Sequence, residues 1–284
     1  MPEVTGLLLV DKPSGPSSFA VLRGLRPALG RKLGHAGTLD PFATGLLLVV
    51  AGRATRLATY LSGLAKAYTA IVQFGAVSTT LDPEGDIAAA GPATDAAAVR
   101  AAAKNLTGDI LQAVPAASAV HVDGERAYAR MRRGEGVAPP ARHVRVERLD
   151  VVAFDERTQR ATIAVACSKG TYVRQLAADL GTATGAGAYC RELRRTVIGP
   201  FSVADAGSPE QVAADPRGRW YRSPADALPH LPARMLDEAE REDVAHGRAL
   251  RRLDEDGITR LVADGELRAI AEPRGERLHP VVVL

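Results

Sequence analysis

The chain predicts an α+β fold: a mixed, mainly antiparallel sheet flanked by helices, followed by a small β-rich C-terminal module. Short apolar runs of strand length, at residues 6–11 and 45–51, interleave irregularly with stretches of helical spacing. No fixed-period repeat runs through the chain. With 284 residues, 46% of them hydrophobic, the chain can bury a sizeable core, divided into one large domain and a small one.

The elements follow in order. Residues 6–11 form a buried strand, and Ser17 or Ser18 can cap a helix running to Leu29. A second apolar strand occupies 45–51, and 53–65 has helical spacing through Leu57, Tyr60, Leu61 and Leu64. Residues 68–74 alternate as a strand does, closed by a turn at Asp82-Pro83-Glu84-Gly85. The alanine-rich stretch 94–106 is helical, and 144–154 with 161–167 read as paired strands. Residues 172–180 form a helix, with Gly181 as its C′ glycine. The Pro-, Ala- and Asp-rich stretch near 205–233 reads as a linker with short helices. Beyond it, 234–284 offers one helix and several short strands, among them 267–271 and 280–284.

A net charge of +3 says little, but its distribution says more. Bases crowd into 12–81 and into Arg191, Arg194 and Arg195, whereas acids gather in 237–256. One positive face results, the electrostatic footprint of a nucleic-acid binder. The two cysteines, Cys167 and Cys190, lack CxxC spacing, which fits a reducing compartment with neither disulfide nor zinc site. The start lacks a basic n-region, and the longest apolar run, 46–51, is too short to span a bilayer. A cytoplasmic protein is expected.

Between Asp11 and Asp82 the sole acid is Asp40, against eight Lys or Arg. Positive surroundings favour an ionised carboxylate, so its pKa should fall. That suits a nucleophile or an electrostatic stabiliser and disqualifies a general acid at neutral pH. An Asp-Pro step between glycines also starts turns.

The loop reads Gly34-His35-Ala36-Gly37-Thr38-Leu39-Asp40-Pro41-Phe42-Ala43-Thr44-Gly45, after Gly6-Leu7-Leu8-Leu9-Val10-Asp11-Lys12-Pro13. Lys66-Ala67-Tyr68, then 167–174 (Cys-Ser-Lys-Gly-Thr-Tyr-Val-Arg) and Leu193-Arg194-Arg195 follow. Over roughly residues 6–205 the chain resembles the bacterial tRNA pseudouridine synthase B family. The resemblance implies a catalytic domain at 1–205, a linker at 206–233 and a PUA-like RNA-binding module at 234–284. It implies isomerisation of uridine to pseudouridine at position 55 of the tRNA T loop, by a monomer without cofactor or metal.

By the same resemblance Asp40 is the nucleophile, and Arg174 pairs with it through a guanidinium fork. The residue types leave open whether Asp40 attacks the uracil, attacks the sugar or takes a sugar proton. Tyr68 stacks on the flipped base, offsetting a flipping cost of a few kcal/mol by roughly 1–3 kcal/mol. Tyr172 lines the pocket, His35 enters the space the base leaves, and Leu193 forms an apolar wall against water. Lys12-Pro13 more readily fixes loop geometry than touches substrate. Residues 121–148, with Arg132 and Arg133 among seven arginines around Tyr128, correspond to a thumb that closes over RNA; the residues alone fit a solvated hairpin equally well.

The chain departs from the family's pattern at Ala117 and His121, which lack the aromatic and the fixed charge found in relatives. Two other functions compete. The catalytic subunit of a guide-RNA-dependent pseudouridylation particle shares the loop motif, but carries an N-terminal extension that this sequence is expected to lack. A non-catalytic RNA-binding or RNA-folding protein would not need Asp40, Tyr68 and Arg174 together.

Overall fold

The computed structural model describes residues 4–116 and 139–284, together with the strand backbone at His121–Val122 and Glu125–Arg126. Arg132, Arg133, Ala117 and the His121 side chain lie outside the described residues.

The first half follows the apolar pattern closely. β1 (Gly6–Lys12) buries Leu7 through Val10 completely. The Ser17 hydroxyl accepts from Ala20 N at 3.1 Å and starts α1 (Ser18–Leu29), whose Val21, Leu22, Leu25 and Leu29 face the core. β2 (Leu33–His35) pairs with β3 (Thr44–Ala51), the second apolar run. The helical spacing at 53–65 becomes a 3-10 turn, Gly52–Leu57, running into α2 (Ala58–Ser62). β4 (Lys66–Phe74) alternates strictly, with Lys66, Tyr68, Ala70, Val72 and Phe74 on the buried face.

A ribbon of β5 (Ala76–Ser78) and β6 (Ile87–Ala89) frames the Asp82 turn, and Asp95 caps α3 (Ala96–Asn105). Then come β7 (Gly108–Gln112), β8 (Arg142–Asp155), β9 (Arg160–Cys167), α4 (Val173–Thr184) and β10 (Ala188–Ile198). The chain closes with α5 (Pro209–Ala214), β11 (Tyr221–Arg222), β12 (Ala233–Met235), α6 (Glu238–Ala245), β13 (Leu250–Arg251), β14 (Thr259–Ala263), β15 (Glu266–Arg274) and β16 (Arg277–Val283).

One expectation needs correction. Gly181 does not end its helix: α4 runs to Thr184 and stops at Gly185, which is left-handed at φ 71°. Gly181 is glycine for closeness instead, since a Cβ there would lie 2.1 Å from the backbone N of Ala188. The stretch 206–233, read as a linker with short helices, carries the short helix α5 and strand β11, and its Val212, Ala227 and Leu228 are fully buried.

By contacts the chain forms two units. The first comprises residues up to Leu39, Leu46–Gly63 and Gly199–Leu284. In it β1 lies between β11 and β3, and a separate sheet runs β12-β14-β15-β16-β13. That second sheet is the expected β-rich module, packed on α6 around Val244, Leu250, Leu261, Ala269, Ala271 and Leu278. The second unit, Asp40–Gly45 with Leu64–Ile198, is built on the antiparallel order β10-β4-β9-β8-β7. Among the described residues its one parallel pairing sets Thr44 and Gly45 against Arg194 and Arg195 of β10.

Candidate active site

Asp40 begins a tight turn: its carbonyl accepts from Ala43 N at 3.2 Å, with Pro41 at the second position. The turn that Asp-Pro suggests is therefore real, and it presents a carboxylate. On the N-terminal side the buried Ser18 hydroxyl holds the neighbouring Leu39 through both backbone groups, at 3.0 and 2.9 Å. On the C-terminal side Gly45 lies flat against β10 at φ 102°. A Cβ there would fall 2.2 Å from the Arg195 carbonyl oxygen. Gly45→Ala is expected to shift the loop, costing about 1–3 kcal/mol of stability. A thermal melt checks this; a wild-type melting temperature would show that the loop tolerates displacement.

Arg174, second residue of α4, is 3% exposed and reaches two carboxylates, not one. Its Nε lies 2.9 Å from Oδ2 of Asp40, close enough for an ion pair although the N–H is turned off the line of a hydrogen bond. Its Nη1 donates to Oδ2 of Asp82 at 2.7 Å and to the Thr80 carbonyl at 2.8 Å. Asp82 is buried, its Oδ1 taking the Thr80 hydroxyl at 2.5 Å and Glu84 N at 3.0 Å. Leu81, just before it, holds φ 66°, and its carbonyl accepts from Cys190 N of β10 at 3.0 Å. Asp40 is different: its side chain is 35% exposed. Of the two carboxylates on Arg174, only this one is open to a ligand.

Tyr68 of β4 stands directly across from Arg195 of β10, and Ala70 across from Leu193. The Arg195 guanidinium, 1% exposed, hydrogen-bonds the Tyr68 hydroxyl and is electrostatically coupled to Asp40. Burial raises the Tyr68 pKa, with Arg195 opposing, so the hydroxyl is neutral at pH 7. Burial lowers that of Arg195, with Tyr68 and Asp40 opposing. Lys66, two residues earlier on the same face, donates to the Leu64 carbonyl at 2.6 Å. Burial, then Arg195, brings its pKa down to about 8.

Tyr172 precedes α4. The buried Gln112 side chain clamps its backbone, accepting from Tyr172 N at 2.8 Å and donating to Tyr172 O at 3.1 Å. The Arg142 guanidinium sits 5.1 Å from its ring centroid. Leu193 is buried on β10, and its carbonyl accepts from the Thr44 hydroxyl. The structure thus gathers Asp40, Tyr68 and Arg174 in the second unit, with Leu193 and Tyr172 on elements that carry them. His35 belongs to the first unit, at the end of β2 opposite Val49.

Asp82, Arg195, Gln112 and Lys66 were not singled out in the sequence as site residues. Asp82 marked the edge of the acid-poor segment and the start of a turn, while Lys66 and Arg195 stood in the family motifs without a role of their own. Among the described residues no group of three or more His, Cys, Asp or Glu is placed to hold a metal ion.

Residues 26–173 match the model of the TruB family pseudouridylate synthase N-terminal domain, and residues 231–284 that of the tRNA pseudouridine synthase II C-terminal domain. The chain belongs to the TruB pseudouridylate synthase family. Among TruB relatives, the tRNA pseudouridine synthase B of Nocardia farcinica is 42% identical, covering 98% of this chain and 93% of that protein. The one from Thermobifida fusca is 41% identical, with 98% of each chain covered. The TruB fold also matches an H/ACA ribonucleoprotein structure bound to a substrate RNA containing 2′-deoxyuridine. There the TM-score is 0.75 and the identity 21%, over 98% of this chain and 84% of that one. An archaeal box H/ACA Nop10–Cbf5 complex matches similarly, with a TM-score of 0.73 and 22% identity, over 98% and 85%. At such identities the likeness is one of fold.

Proposed function

We propose that this protein isomerises uridine to pseudouridine at position 55 in the T loop of tRNA, with Asp40 as the group that starts the reaction. The observation that carries this is the asymmetry around Arg174: a buried carboxylate anchors the guanidinium and a partly open one, Asp40, shares it. Such a group is ionised, oriented and accessible, as a nucleophile must be. The bond between N1 of uracil and C1′ of the ribose breaks and one between C5 and C1′ forms, while C5 gives up its proton and N1 takes one up, so the product is an isomer. No electron donor, phosphate donor or metal enters that balance.

The target uridine leaves its stack for the pocket, and Tyr68 receives the ring face. Arg195 fixes the Tyr68 hydroxyl from across the sheet, while Leu193, on the same face of β10, keeps water from the bond being broken. Tyr172, held by Gln112 and Arg142, lines the same pocket, and His35 fills the place of the extruded base. Arg132 and Arg133 of the 121–148 segment contact phosphates. A tRNA substrate, together with two buried free thiols, fits a cytoplasmic enzyme.

Relatives near 40% identity named for tRNA modification favour this reading over a guide-RNA-dependent subunit. The test is conversion of an unmodified T stem-loop transcript, without guide RNA or partner proteins. One pseudouridine at position 55 is expected; no conversion, or conversion only with a guide RNA, would overturn the reading.

A further inference from the structure

The resemblance assigns RNA binding to the C-terminal module, yet the charges of that module are largely paired internally. Arg234, Arg241, Arg248, Arg252, Arg268 and Arg274 each lie against at least one carboxylate. A paired arginine offers a phosphate little, since attraction to one anion is offset by the carboxylate already beside it.

Helix α1 is the opposite case. It contains no acidic residue, and its apolar side, Val21, Leu22, Leu25 and Leu29, is committed to the core. The outward side presents Phe19, Arg23 and Arg26, at spacings of four and three that place them on one face. Phe19 is 58% exposed, a large apolar ring left in solvent. The Arg26 guanidinium stands 5.7 Å from its centroid, a stacked cation–aromatic pair with an open side. Among the described residues no ion pair involves Arg23 or Arg26, and Arg31 and Lys32 extend the exposed basic run past Gly30.

Resting on the proposal of an RNA substrate, we infer that the outward face of α1 is a second RNA contact, with Arg23 and Arg26 on phosphates and Phe19 against a base or ribose. Charge complementarity selects this occupant: uncompensated guanidiniums match a polyanion, and an aromatic among them matches nucleic acid. A bilayer surface is a poorer match, because an interfacial helix needs a whole apolar face and α1 has spent its own on the core.

The test is binding of a full-length tRNA transcript across a salt series. Arg23→Ala with Arg26→Ala should lower the slope of log affinity against log salt by about two units. Phe19→Ala should weaken binding about tenfold at every salt concentration and leave the slope unchanged. The matching control, Arg248→Ala with Arg274→Ala, removes two charges that already have carboxylate partners and should leave the slope as it is. All these side chains lie at the surface, and circular dichroism melts confirm the fold. An unchanged slope in the α1 variant, or an equal fall in the control, overturns the inference. So does α1-dependent binding to anionic vesicles with RNA affinity unaltered. If the wild type itself fails to bind tRNA at any salt concentration, the RNA reading falls and this inference with it.

Discussion

Asp40→Asn is expected to abolish turnover, by on the order of 10⁴-fold or more, while tRNA affinity stays within a few-fold. The two effects separate because Asp40 contributes nothing to phosphate attraction; losing its negative charge can only favour the polyanion slightly. The fold should hold. Arg174 keeps Asp82 and the Thr80 carbonyl as partners, so no guanidinium is left buried without a counter-charge. Asn also matches the shape of Asp, and the turn is closed by the backbone carbonyl of residue 40, so it survives the change. Single-turnover conversion of a T stem-loop transcript, beside a binding isotherm and a melt, checks all three. Measurable conversion by the purified Asn variant would remove Asp40 from the role assigned to it.

How far the sequence reveals this site depends on the kind of force involved. β1, α1, β3 and the β8–β9 pair are legible because burial imposes periods of 2 and 3.6 on the side chains, and a cap such as Ser17 acts within three residues. β10 is not legible as a strand. Its inward positions include Arg195, and a buried arginine that follows Arg191 and Arg194 reads as surface until a partner strand supplies Tyr68. Gly181 misled for a related reason: the sequence shows that a glycine is needed, but not whether a left-handed turn or a neighbouring backbone demands it.

The site divides in the same way. Asp40 stands out through the absence of other acids, a property of the chain itself. The Arg174–Asp82 bond closes 92 residues of sequence and leaves no local trace. The pattern of charges therefore found the open carboxylate, the resemblance supplied its arginine, and neither pointed to the buried carboxylate that holds the arginine still.

That hidden partner decides what a change at Arg174 should do. Arg174→Lys keeps the positive charge, so a purely electrostatic role would survive it. The geometry demands more. Nε serves Asp40 while Nη1 serves Asp82 and the Thr80 carbonyl, three contacts spread along a rigid plane. An ammonium is a single point and must choose; the better-anchored Asp82 should win it. Asp40 would then lose its fixed orientation without losing its chemistry. A loss of about 10²-fold in the single-turnover rate is expected, the usual consequence of a misplacement near 1 Å, with tRNA affinity within a few-fold. Stability should fall as well, because the buried cluster loses hydrogen bonds that Lys cannot replace. Pairing the Lys variant with Asp82→Asn separates the two roles. With Asp82 neutralised, the ammonium is free to turn to Asp40, and part of the rate should return even as stability falls further. A Lys variant within about twofold of the wild-type rate would show that orientation of Asp40 does not depend on Arg174. A double variant slower than either single one would show that Asp82 serves the chemistry directly instead of anchoring the arginine.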